Sequence, residues 1–111
     1  MEKLIKNIAH SEVLPLAAQV QYLEGQIVSK TLAQTKDHSL TLFAFDKGEE
    51  ISSHDSQGDA MVIALDGTGK ITIDDTEHII KAGDVIIMPA TIPHAVFAQE
   101  QFKMLLTVIF P

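Results

Sequence analysis

The sequence contains no cysteine. That excludes disulfide frameworks, thiolate zinc sites and cysteine nucleophiles, and it limits any metal ligand to histidine, carboxylate or neutral oxygen. Basic residues are scarce, with 8 Lys and Arg against 15 Asp and Glu and a formal net charge of −7. An exterior of that sign repels a phosphate backbone or an anionic membrane surface, so no nucleic acid and no membrane is expected as a partner. Long apolar runs are missing too. In the N-terminal MEKLIKNIAHSEVLPL, charges and amides break every apolar stretch before it reaches the length of a signal-peptide core. The longest late stretch, 104–110, is interrupted only by Thr107 and falls far short of the ~20 residues a membrane helix needs. The chain is therefore expected to be soluble and cytoplasmic. Internal repeats, low-complexity tracts and charge blocks are absent as well, which leaves no sign of a domain boundary.

What remains is 111 residues, 46% of them hydrophobic and 21% charged, enough to bury one core and too short for two. Helical signals are thin. Only 10–18 (HSEVLPLAA) offers a turn or two, with Ser11 as candidate N-cap and Pro15 as the limit. From Gln26 onward the pattern becomes short segments rich in Val, Ile, Thr and Phe between Gly, Asp and Pro. Strands are predicted at 26–33, 39–45, 60–65, 69–73, 77–80, 85–88, 94–98 and 103–110, with a turn at 66–69 and a tight hairpin at Asp74-Asp75. Closely spaced strands without helical crossovers imply an antiparallel sandwich or barrel. The expected core is Phe43, Phe45, Ile63, Leu65, Ile71, Ile73, Ile87, Leu105 and Val108.

Two glycine-anchored segments carry the remaining information: 48–67 (GEEISSHDSQGDAMVIALDG) and 83–94 (GDVIIMPATIPH), each delivering one histidine at a strand edge. They resemble the two motifs of the cupin superfamily. The first motif is Gly, five residues, His-x-His, three or four residues, Glu, six residues, Gly, and Gly48, His54 and Gly67 fall on it. The second is Gly, five residues, Pro-x-Gly, two residues, His, three residues, Asn, matched by Gly83, Pro89 and His94. The 15 residues between the motifs, 68–82, suit the short microbial members. The resemblance implies an all-β fold, a single-domain antiparallel jelly-roll β-barrel (cupin), with the barrel over 26–111 and an N-terminal arm or strand, 1–25, packed on it. It also implies a site of three His and one Glu around iron, manganese, nickel, copper or zinc. Here Ser56 stands in place of the second His, Ala60 of the Glu, Thr91 of the second motif's Gly and Ala98 of its Asn. Residue by residue, only His54 and His94 carry over.

A transition metal at neutral pH needs about three good donors in one shell. Asp55, Gln57 and Asp59 lie close to His54 in sequence, and a loop bulge that turns Asp59 or Gln57 inward would add a third ligand beside His54 and His94, Asp59 being the carboxylate candidate and Ser56 able to carry a water. Period-2 alternation puts Ala60, Val62 and Ala64 on one face, which by the resemblance lines the barrel. The expected ligand site is thus an apolar cavity formed by Ala60 and Val62 with a polar corner at His54, Ser56 and His94. The expected function is binding of a small-molecule ligand, with metal binding weak or absent: either no cofactor or a divalent transition metal (Fe, Mn, Ni, Cu or Zn) at low occupancy. The alternative is a metal-dependent cupin enzyme of dioxygenase or isomerase type working with the reduced ligand set. A third reading, a dimeric interaction module, fits the same fold.

Other residues take structural readings. His10, His38 and His78 are expected at the surface, and the motif glycines and Pro89 and Pro93 at turns and loop entries. Asp46, Glu49 and Glu50 form a solvated strand end. Met61, Met88 and Met104 read as core filler, Tyr22 as a buried phenol. Ser52 and Ser53 lack a base-and-orienter arrangement, and no nucleophile elbow, P-loop or zincin helix occurs. The apolar segments 27–32 and 104–110 predict a homodimer.

Overall fold

Two long strands organise the chain in the computed structural model, which describes residues 3–111. Strand β4 (Asp59–Ile73) and strand β7 (His94–Ile109) run antiparallel over almost their whole lengths, from Asp59 opposite Ile109 to Ile73 opposite His94. Around them lie β1 (Ile27–Gln34), β2 (His38–Phe45), β3 (Glu50–His54), β5 (Thr76–Lys81) and β6 (Val85–Met88). The β4–β7 register shifts between Ala64 and Asp66 and again between Gly67 and Gly69. On either side of those bulges each long strand takes a different partner. β4 pairs with β6 through Ala60–Ile63 and with β5 through Thr68–Ile73, while β7 pairs with β3 near His94 and with β2 from Phe102 onward. The sheet folds over on itself at the bulges and becomes a jelly-roll barrel, with almost no helix.

The bend corrects the sequence reading, which broke both long strands and placed a turn at 66–69. A bulge bends a ladder without ending it. Gly67 makes this one feasible: it sits at φ +73°, and a Cβ there would lie 1.6 Å from the Gln101 carbonyl oxygen. Strand β3 was missed because EISSH carries little apolar alternation; only Ile51 is half-buried, flanked by exposed Ser and Glu. The hairpin at Asp74-Asp75 forms, with Asp74 at φ +54°. The turn or two expected within 10–18 is a single 3-10 turn, Leu16–Gln19; it follows Pro15, and Ser11 at φ +60° is not its N-cap.

The inner face is built by alternation: Ala60, Val62 and Ala64 point inward against Phe45, Ile71, Phe102 and Met104. Their neighbours Met61, Ile63 and Leu65 therefore point outward. The predicted core mixed the two faces. Phe45 and Ile71 are fully buried, Ile63 is only half-buried, and Ile87 is 46% exposed. Met61, expected as core filler, is 39% exposed for the same reason.

Leu65 and Leu105 belong to a second cluster on the outer face, where Ile8, Leu16, Val20 and Tyr22 of the segment before β1 cover Leu32, Leu42 and Ala44. Polar ties hold that segment down. Lys103 Nζ, largely buried, donates to the Ala17 carbonyl at 2.6 Å, and Lys30 Nζ to that of Gln19 at 3.0 Å. The Tyr22 hydroxyl donates to Asp66 Oδ2 at 2.5 Å. Burial, and then the Asp66 carboxylate, push that phenol well above its ordinary range.

Candidate functional site

The two histidines meet because strands β3 and β7 pair out of step. Ile51 lies opposite Val96 and His54 opposite His94, so three steps along β3 match two along β7. In a regular strand, residues three apart face opposite sides. The bulge at Ser52-Ser53 cancels that, and both Ile51 and His54 line one cavity. Across from them His94 opens β7, its ring centroid 4.5 Å from that of His54 and the planes at 69°.

Backbone carbonyls set the tautomers. His54 Nδ1 is 3.0 Å from the Ser52 oxygen and His94 Nδ1 is 3.2 Å from the Ile92 oxygen. A carbonyl only accepts, so in each neutral ring Nδ1 carries the proton and Nε2 the lone pair. His94 is 5% exposed, and burial lowers its pKa below the usual histidine value; the Ile92 carbonyl opposes this, His54 reinforces it and Asp55 opposes it. His54 is exposed and stands at the rim.

The rest of the wall is almost entirely apolar. Phe43, Ala60, Met88, Val96 and Leu106 enclose a cavity of about 200 Å³, and Ser56 is the remaining polar residue on it. Its hydroxyl is spoken for: Oγ donates to the Gly58 carbonyl at 3.0 Å and accepts the Gly58 N–H at 3.3 Å. The Ser56 carbonyl accepts from the Thr91 N–H at 2.8 Å, clasping the 55–58 loop to the loop before His94. Thr91 makes that bond from φ +67°, a left-handed conformation that glycine adopts without strain.

Of the sequence-predicted site residues, His54, Ser56, Ala60 and His94 come together on this cavity. Val62 does not reach it and is packed in the core, fully buried. Asp59 is not brought there either. It precedes the inward-facing Ala60, is exposed, and its Oδ1 accepts the Ala90 N–H at 2.8 Å in a separate surface depression that also holds Gln57. Among the described residues no three His, Asp or Glu side chains gather as a metal site. Two imidazoles beside a hydroxyl already engaged do not fit the four-donor centre that the motifs imply. Sequence reasoning missed Met88 and Met104 as cavity walls. Pairing β6 with β4 would have found the first, since Met88 lies opposite Ala60.

A short jelly-roll barrel with one histidine from each of two glycine-anchored segments at the mouth of an inner cavity defines a small single-domain cupin architecture. The chain belongs to the cupin family: the family model described as "Cupin domain" matches residues 41–110. Among solved structures it is similar to a conserved protein of unknown function from Streptococcus pyogenes, at 46% identity and a TM-score of 0.97 over 99% of this chain and 96% of that one. A cupin superfamily protein from Desulfitobacterium hafniense is 34% identical, with a TM-score of 0.93 over 96% and 98% of the two chains. A cupin 2 conserved barrel domain protein from Leptotrichia buccalis is 45% identical over 84% of this chain but 45% of its own length, with a TM-score of 0.82. No curated protein matches. No helix of the described residues is long and apolar enough to cross a membrane.

Proposed function

We propose that this cupin binds a small organic molecule in its barrel cavity and holds metal weakly or not at all. The observation that carries the reading is an apolar cavity of about 200 Å³ whose polar corner consists of two imidazoles, with no third metal donor beside them among the described residues. Alanine at position 60 supports it, because a wall residue without a carboxylate leaves room for a ligand rather than a ligand for an ion. The test is a thermal-shift screen against a metabolite panel, backed by native mass spectrometry of the purified protein. A ligand at 100 times its Kd adds about 2.7 kcal/mol of stability, a readable rise in Tm. A panel without a single binder, together with a full equivalent of tightly held metal by elemental analysis, would favour the metal-enzyme reading instead.

In this reading the working unit is a homodimer formed through the outer face of β6, β4 and β7. Ile87 pairs with Met61 and Val85 with Ile63 in adjacent strands. Met61, Val85, Ile87 and Ile109 are 39%, 58%, 46% and 58% exposed. A contiguous apolar sheet face of this kind favours association. The 104–110 segment contributes Ile109 to it, whereas Val28 and Leu32 of the 27–32 segment lie under the segment before β1. Light scattering is expected to give twice 12.1 kDa, and Ile87→Lys to return the protein to the monomer mass. A monomer in the unmodified protein would sink the dimer.

A further inference from the structure

The polar corner of the cavity offers acceptors and no donors. Both Nδ1 protons are used on the Ser52 and Ile92 carbonyls, and the Ser56 hydroxyl proton on the Gly58 carbonyl. The free polar atoms are two Nε2 lone pairs, for which the described residues supply no hydrogen-bond partner. A ligand that only accepts, such as a carboxylate or an ether oxygen, meets lone pairs there and loses its water without replacement. A ligand that brings a hydroxyl proton is satisfied.

Size narrows the class further. An apolar cavity of roughly 150 Å³ holds benzene. At about 200 Å³ this one takes a single six-membered ring with one or two small substituents. Phe43, Met88 and Met104 on its wall suit an aromatic ring, since rings pack well on other rings and on thioethers.

Resting on the ligand-binding reading above, we infer that the cavity is selective for compact uncharged hydroxyl donors, monocyclic phenols, whose O–H donates to Nε2 of His54 or His94 while the ring fills the apolar remainder. Selectivity then lies in the proton and not in the shape. Anisole presents the same ring and oxygen without the donor, and benzoate the same ring with an anionic acceptor.

Isothermal titration of the intact protein at pH 8 with phenol, anisole and benzoate tests this. Phenol is expected to bind at least about tenfold more tightly than anisole, the factor that one retained hydrogen bond of about 1.4 kcal/mol gives, and benzoate to show no measurable binding. In the His54→Leu, His94→Leu double variant the preference for phenol over anisole should disappear. A long-range ¹⁵N–¹H spectrum of the unmodified protein needs no variant and should show both Nε2 atoms unprotonated. Anisole binding as tightly as phenol, benzoate matching phenol at pH 8, or a protonated Nε2 on either ring would overturn the inference while leaving the ligand-binding reading intact. If none of the three binds, the inference falls, and a metabolite panel that also fails takes the ligand-binding reading with it.

Discussion

Thr91 occupies the glycine position of the second cupin motif at φ +67°, and replacing it by glycine should stabilise the protein. A left-handed conformation costs an L-residue roughly 1–2 kcal/mol, and β-branching puts threonine at the upper end. Glycine removes that strain but adds about 0.4–1 kcal/mol of chain entropy to the unfolded state. The side chain at 91 is exposed, so little packing is lost, and the Thr91 N–H bond to the Ser56 carbonyl at 2.8 Å survives the change. The net expectation is a gain of about 0.5–1 kcal/mol, or a rise in Tm of roughly 2–4 °C for a domain of this size. Thr91→Ala is the control, because it keeps the Cβ and most of the strain. Urea denaturation followed by circular dichroism reads both variants through their midpoints at constant m. A glycine variant no more stable than the parent, or an alanine variant that gains as much, would show that the backbone at 91 stores no strain.

Gly67→Ala should cost about 3 kcal/mol or more, since its Cβ would lie 1.6 Å from the Gln101 oxygen, whereas Gly48→Ala, with equally positive φ but open space around it, should cost about 1. Equal midpoint shifts in urea would mean that the β4–β7 bulge is not tightly closed. Acidification should also destabilise the protein through His94. Its folded-state pKa lies below the ordinary 6.5, so the unfolded chain takes up the proton first; the contribution is complete above that value and is lost as pH falls from it through the folded value. The slope in that window is at most about 1.4 kcal/mol per pH unit, and His94→Gln should flatten it; an unchanged slope in the variant would assign the effect to other groups. Finally, Ser56→His with Ala60→Glu should raise bound divalent metal from substoichiometric to one equivalent by elemental analysis, because both positions line the cavity beside His54 and His94. No gain in metal would mean that side chains at 56 and 60 do not converge on the two imidazoles.

The barrel was legible because its strands announce themselves one at a time: Val85–Met88 and His38–Phe45 are short, apolar and bounded by turn residues. What escaped are features decided between strands. Whether 66–69 is a turn or a bulge depends on the Gln101 carbonyl, some thirty residues away, and no local pattern reports it. Strand β3 is held by its pairing with β7 and not by its own composition. The face of Ile63 could have been read, because the alternation that places Val62 on the barrel-lining face places Ile63 outward; listing Ile63 as core beside that placement was an inconsistency, not a lack of signal.

At the site, the two motifs located both histidines and the two positions where family donors are lacking, but not what the histidines present to a ligand. That depends on which ring nitrogen holds the proton, and the proton is placed by carbonyls two residues upstream, at Ser52 and Ile92. The spacing is visible in the sequence, yet its meaning is not: the β3 bulge must turn His54 inward, and Pro93 must leave the Ile92 carbonyl aimed back at the ring. Such a carbonyl contact is the usual outer-shell partner of a metal-binding imidazole. It acts on the imidazole and not on the ion, so it leaves Nε2 as the lone-pair nitrogen even where serine and alanine stand in place of the other donors. On the proposed reading, two histidines without the family's other donors are not an indifferent polar corner but a pair of oriented acceptors in an apolar enclosure, which is a hydrogen-bonding specificity in its own right.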